Sequence, residues 1–127
     1  MISQRTTLLA GAILAGLAVI VGAFGAHALK PQLLATNHFD TYELAVRYQF
    51  YHSFALLCIG LLMGQLTSMA KFKLAAIFMI LGIVFFSGSL YALSFGAGKS
   101  IALATPIGGV FFILGWIWLG LGIAKRN

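Results

Sequence analysis

The stretch TTLLAGAILAGLAVIVGAFGAHAL, residues 6–29, decides the fold. Its 24 residues, between Arg5 and Lys30, include no Asp, Glu, Lys or Arg. Crossing a hydrocarbon core of roughly 30 Å takes about 20 helical residues, so this stretch is long enough to span a bilayer. The pattern repeats: residues 48–70, 74–98 and 100–124 are charge-free blocks of 23, 25 and 25 residues. Membrane-crossing strands would alternate in polarity over about ten positions, and no such segment occurs. The blocks predict transmembrane helices over about residues 6–28, 48–68, 72–95 and 105–124.

Composition points the same way. Of 127 residues, 61% are hydrophobic and 8% charged, whereas a water-covered domain carries about a quarter charged residues. The formal charge is +6, but the cations stand singly or in pairs at the ends of apolar blocks. That placement reports topology rather than a nucleic-acid partner. The single cysteine, Cys58, lies inside the second block; it excludes an intrachain disulfide and gives no metal cluster.

Arg5, the apolar run and Ala26-His27-Ala28 imitate a signal peptide with its cleavage site. The run exceeds a usual signal core and carries a regular packing pattern, so we read it as a retained helix. Pro31 marks its end. Asp40 through Glu43 fits a capping box ahead of the second span. Lys71 and Lys73 sit in a tight turn, which makes helices two and three antiparallel neighbours. Gly96 to Ser100 breaks the third helix, and Thr105 and Pro106 suit the N-cap and first position of the fourth. With the N-terminus inside, Arg5, Lys71, Lys73, Lys125 and Arg126 face the cytoplasm, and Lys30, Arg47 and Lys99 face out. The expected fold is an all-α, antiparallel up-down, four-helix transmembrane bundle, N-in and C-in, forming one membrane domain.

Lipid supplies no hydrophobic force between helices, so small residues must let backbones approach. Helix one places Gly11, Ala15, Ala18, Gly22 and Gly25 at alternating steps of four and three. Helix two has Gly60, Gly64 and Ser68; helix three Gly82, Ser89, Ala92 and Gly96; helix four Gly108, Gly115 and Gly122. These spacings form a continuous seam on each helix. Glycine enrichment alone is the plainer alternative, but the regular spacing favours seams.

Up-down topology gathers His27, Tyr48, Gln49, His52, Ser87, Ser89, Tyr91 and Thr105 near one membrane surface. Polar side chains inside a bilayer are costly unless paired or hydrated, so this cluster is the most function-like feature of the chain. Each member also has a structural reading. Tyr48, Tyr51 and Tyr91 fit an interfacial aromatic belt. Ser87 and Ser89 can bond their own helix carbonyls, and Gln49 and His52 can bridge helices. His27 fits a helix-end imidazole at the interface.

No H-E-x-x-H, intramembrane carboxylate pair, nucleophile elbow or phosphate loop occurs. We therefore assign no catalytic, metal or cofactor residues. The expected role is structural or interactive, through packing with itself, lipid or a membrane partner. A small-solute or proton pathway through an oligomer is the second reading, and a membrane enzyme the third.

Four motifs stand in order: Gly22-Ala-Phe-Gly-Ala-His-Ala-Leu29, Tyr48-Gln49-x-x-His52, Phe86-Ser-Gly-Ser-Leu-Tyr91, and Thr105-Pro-x-Gly-Gly109 with Gly115-Trp116. Together they resemble the small multi-pass proteins called transmembrane protein 256, also known as uncharacterised protein family 0382 or domain of unknown function 423. The resemblance spans essentially the whole chain. It implies a four-helix protein, in bacteria one of the inner or plasma membrane, and favours retention of helix one. It brings no reaction, substrate or cofactor.

Overall fold

The structure, a computed structural model, describes residues 2–125; Arg126, counted above among the cations, lies outside the described residues. These fold into α1 (Gln4–Ala26), α2 (Lys30–Ala35), α3 (Phe39–Met63), α4 (Met69–Gly82), a π-helical turn (Ile83–Ser87), α5 (Gly88–Ser94), a 3-10 turn (Lys99–Leu103) and α6 (Ala104–Ala124). No strand occurs among the described residues. α4, the π turn and α5 form one unbroken rod, Met69–Ser94.

Local chemistry explains the ends. Ser3 caps α1 by accepting from the Thr6 N–H. Pro31 enters the first turn of α2, where its missing N–H costs no helical bond. Asn37 closes α2 in the left-handed region (φ 57°), and the N–H groups of Asn37 and His38 reach back to Leu34 and Leu33. Gly96 (φ 93°) closes α5 the same way, with Gly96 and Ala97 bonding to Leu93 and Ala92.

Three expected boundaries differ. His38, not Asp40, is the N-cap of α3, and no side chain caps that end. The expected capping box does not form because the helix begins at Phe39, one residue ahead of Asp40, so the whole motif lies within the helix. α3 stops at Met63 instead of continuing to Ser68, which becomes the N-cap of α4. α6 grows from the 3-10 turn, so Thr105 and Pro106 lie within its first turn. Proline is tolerated there because the first four N–H groups have no intrahelical partner.

Packing is sequential. α1 lies against α3, α3 against α4, the π turn and α5, and α4 and the π turn against α6. Neighbours run antiparallel: Gly60 of α3 meets Leu8 of α1, while Gly25 of α1 meets Tyr42. On the other side Gly122 faces Phe72, Gly115 faces Met79 and Gly108 faces the Phe86 backbone. A Cβ at Gly11 would sit 3.0 Å from the Ser53 carbonyl oxygen. Gly22 rests on Val46, Ala18 is buried and Ala15 half-buried. Gly64 is the exposed C-cap of α3, where it faces the Gln4 side chain of α1.

Among the described residues, three helical stretches are long and apolar enough to cross a membrane: Gln4–Ala26, Met69–Ser94 and Lys99–Ala124. Their outer faces carry bare aliphatic side chains such as Ile13, Val84 and Ile113. α3 is as long, but it carries Asp40, Glu43, Arg47, Gln49 and His52. It also holds ten of the buried residues, including Leu56 and Ile59. Of its polar and charged side chains, Gln49 and His52 are turned inward, while Asp40, Glu43 and Arg47 stand exposed near the start of the helix.

Two glycines of α6 separate close packing from glycine enrichment. A Cβ at Gly108 would collide with the Phe86 backbone, whereas one at Gly120 meets nothing within 4 Å. Gly108→Leu should therefore cost at least about 1–3 kcal/mol, the usual toll of overpacking. Gly120→Leu should stay within about 0.5 kcal/mol. Thermal unfolding in detergent reads both; equal shifts contradict the seam.

Candidate functional site

Gln49 sits midway along the inner face of α3 and is only 5% exposed. Its Nε2 donates to the Leu14 carbonyl of α1 at 2.8 Å, and its Oε1 accepts from the Tyr91 hydroxyl of α5 at 2.7 Å. A backbone carbonyl can only accept, so the amide must turn its nitrogen to α1, leaving its oxygen for the phenol. One side chain thus ties three helices together. Ser53, one turn on, is satisfied by the Gln49 carbonyl of its own helix.

The neighbouring polar groups follow the same rule. The Ser87 hydroxyl, in the π turn, donates to the Ala45 carbonyl of α3 at 2.8 Å. The Tyr42 hydroxyl donates to the Val21 carbonyl of α1, and its ring meets Tyr91 edge-on with centroids 5.5 Å apart. The Ser89 hydroxyl donates to Phe86 O and accepts from the Thr105 hydroxyl at 2.6 Å, a bond between α5 and α6. Thr105 thereby links helices instead of capping α6.

His52 belongs to a different group. Buried to 4% exposure, it bonds through Nδ1 to the Tyr48 carbonyl at 2.6 Å and through Nε2 to the Trp116 indole N–H at 3.2 Å. A carbonyl only accepts and an indole N–H only donates. The ring must therefore be neutral, with its proton on Nδ1. It stacks on Phe112 with centroids 3.5 Å apart, and Tyr48 stacks on Phe86 at 4.5 Å. These rings line a groove of about 430 Å³ between α3 and α6, open along Val110 and Ile113.

The eight expected residues therefore divide. Gln49 and Tyr91 form one bridge, Ser89 and Thr105 another, and Ser87 a third. Tyr48 and His52 line the groove. His27 stands apart, exposed at the C-cap of α1 beside Phe24. Sequence reasoning overlooked Tyr42 and Trp116. Tyr42 lies two turns before Gln49 on the same face, a spacing that was available to be read. The partner of Trp116 comes from another helix and leaves no local signal. Among the described residues, no group of three His, Cys, Asp or Glu side chains is placed to hold a metal.

Comparison with known proteins gives a consistent family. The profile of the family described as "Protein of unknown function (DUF423)" matches residues 21–109. A UPF0382 membrane protein of Staphylococcus saprophyticus is 43% identical over 96% of this chain and 99% of its own. The UPF0382 membrane protein YwdK of Bacillus subtilis is 37% identical over 96% and 98%. One from Haemophilus influenzae is 37% identical over 86% of each chain. No solved structure matches. The chain belongs to the DUF423 family, whose relatives are named as bacterial membrane proteins, with no enzymatic activity in those names.

The pairing pattern predicts which variants interact. In a double-mutant cycle, Gln49→Leu and Tyr91→Phe should couple by about 0.6 kcal/mol, and by no more than about 1.7, the range for hydrogen bonds between membrane helices. His52→Ala and Ser89→Ala, which share no bond, should add to within about 0.3–0.5 kcal/mol. Stability in detergent measures both, and the reverse pattern contradicts the assignment.

Proposed function

We propose that the chain is a four-span protein of the bacterial inner or plasma membrane, N-in and C-in, whose role is to pack with itself, with lipid or with a membrane partner. In this reading α3 is the fourth span. Its polar face is covered by α1 on one side and by the α4–α5 rod and α6 on the other, so α3 need not be as apolar as its neighbours.

The observation that supports this most is where the inward polar groups go. Gln49, Ser87 and Tyr42 each end on a backbone carbonyl of a neighbouring helix. Such bonds hold helices together, whereas a conducting path needs polar groups left available to a solute. The cations sort in the same sense. Lys71 donates to the Leu121 carbonyl near the end of α6, which sets the α3–α4 turn beside the C-terminal end of the chain. Arg5 follows Gln4, which touches Gly64 at that same end. Arg5, Lys71, Lys73 and Lys125 thus share one end, and the bias of Lys and Arg assigns that end to the cytoplasm.

Reporter fusions test the reading. Reporters placed at Ala70 and after Asn127 should read cytoplasmic, and reporters at Asn37 and Ala97 external. Opposite readings at Asn37 and Ala70 require α3 to cross; the same reading at both would remove the fourth span.

A further inference from the structure

The groove between α3 and α6 is the feature that the packing role does not use. Its rim residues Val110, Ile113 and Trp116 are 55%, 60% and 48% exposed on the outer face of α6. With α3 and α6 both standing in the bilayer, as proposed above, the mouth opens onto hydrocarbon rather than water. Any occupant must arrive dissolved in the membrane. The volume, about 430 Å³, lies in the range of small-molecule sites, about 300–1,000 Å³.

The walls say what kind of molecule fits. Tyr48, Phe86, Phe112 and Trp116 supply aromatic rings, and the His52 ring lies flat on Phe112. Aromatic walls reward a flat ring, through stacked and edge contacts, more than a flexible chain. Gly109 keeps one wall clear, since a Cβ added there would meet only the Phe86 ring edge, at 4.0 Å. The polar inventory is small. His52 Nε2 and the Trp116 N–H are committed to each other. The Tyr48 hydroxyl has no hydrogen-bond partner among the described residues. Tyr48 stands half-buried on the groove wall, where its hydroxyl can donate to a ligand that brings an acceptor.

We infer that this groove binds a flat, ring-bearing, membrane-soluble molecule carrying a carbonyl oxygen that accepts from Tyr48. Rings of the molecule lie along Trp116 and Phe112, over the floor left open by Gly109. The hydrocarbon tail of a lipid would fill the space but would offer no flat face to the rings, and its carbonyl stays with the headgroup.

The test uses the full chain in phosphatidylcholine and phosphatidylglycerol nanodiscs, with Trp118→Phe so that Trp116 is the only indole. The probe is a 1,4-naphthoquinone with a short alkyl tail, which is flat, bears two carbonyl oxygens and quenches indole emission on contact. Quenching should saturate. Gly109→Leu, which fills the groove without displacing a neighbour, should abolish the saturable part while leaving the melting temperature unchanged. Tyr48→Phe should weaken binding about fivefold, roughly the worth of one hydrogen bond. Quenching that only rises linearly, that saturates equally in Gly109→Leu, or that ignores Tyr48→Phe overturns the inference. So does saturable quenching by brominated acyl chains that the quinone fails to displace. Failure here leaves the fusion-reporter result untouched, so the site and the four-span reading stand or fall separately.

Discussion

A buried amide on α3 is the constraint on which the arrangement depends. In hydrocarbon an unpaired Gln49 side chain would cost several kcal/mol, of the order found for amide transfer without a partner. Both of its ends must therefore be satisfied, and the partners lie on opposite sides, Leu14 O on α1 and the Tyr91 hydroxyl on α5. Because the amide has a fixed length, these two bonds set the depth of α1 and α5 relative to α3 together. The glycine contacts then fix how close the helices come. Polar pairing supplies register, and small residues supply proximity.

The π turn fits the same frame. At Ile83–Ser87 the Gly88 N–H bonds five residues back, to Ile83 O, so the rod gains a residue within one turn. That turn aims Ser87 at the Ala45 carbonyl of α3, and it is also where Gly108 of α6 meets the Phe86 backbone. A single local irregularity thus serves two helix–helix contacts at once. On the remaining side the aromatic stack of Tyr48, Phe86, His52 and Phe112 separates α3 from α6, which leaves the groove.

The helical class and the membrane setting were legible because they rest on long charge-free blocks, and the family because its motifs run the length of the chain. Close contacts at Gly11, Gly60, Gly108, Gly115 and Gly122 could be anticipated because a helix repeats its face at fixed steps. The end of α3 at Gly64 could not, since where a helix stops depends on the turn that follows. The polar residues were legible as a set but not as pairs. Ser89 with Thr105, and His52 with Trp116, are matched by the rotation of one helix against another, which a single chain of letters does not encode. The π turn leaves no composition signal, since Ile83 to Ser87 reads like ordinary helix.

The proposed fourth span requires α3 to be the innermost helix, with Gln49 and His52 turned to its neighbours and an apolar stripe turned out. Its bare face is the stripe Tyr51, Phe54, Cys58 and Leu61, and its covered face runs through Gln49, His52, Leu56 and Ile59. Replacing Cys58 by Ser and placing single cysteines along residues 48–63 in native membranes tests this directly. A lipid-soluble maleimide should react along the bare stripe only, and a membrane-impermeant maleimide should react at none of these positions. Labelling of the Gln49 and His52 face by the impermeant reagent would mean that water reaches the centre, and the closed, packed interior described here would be wrong.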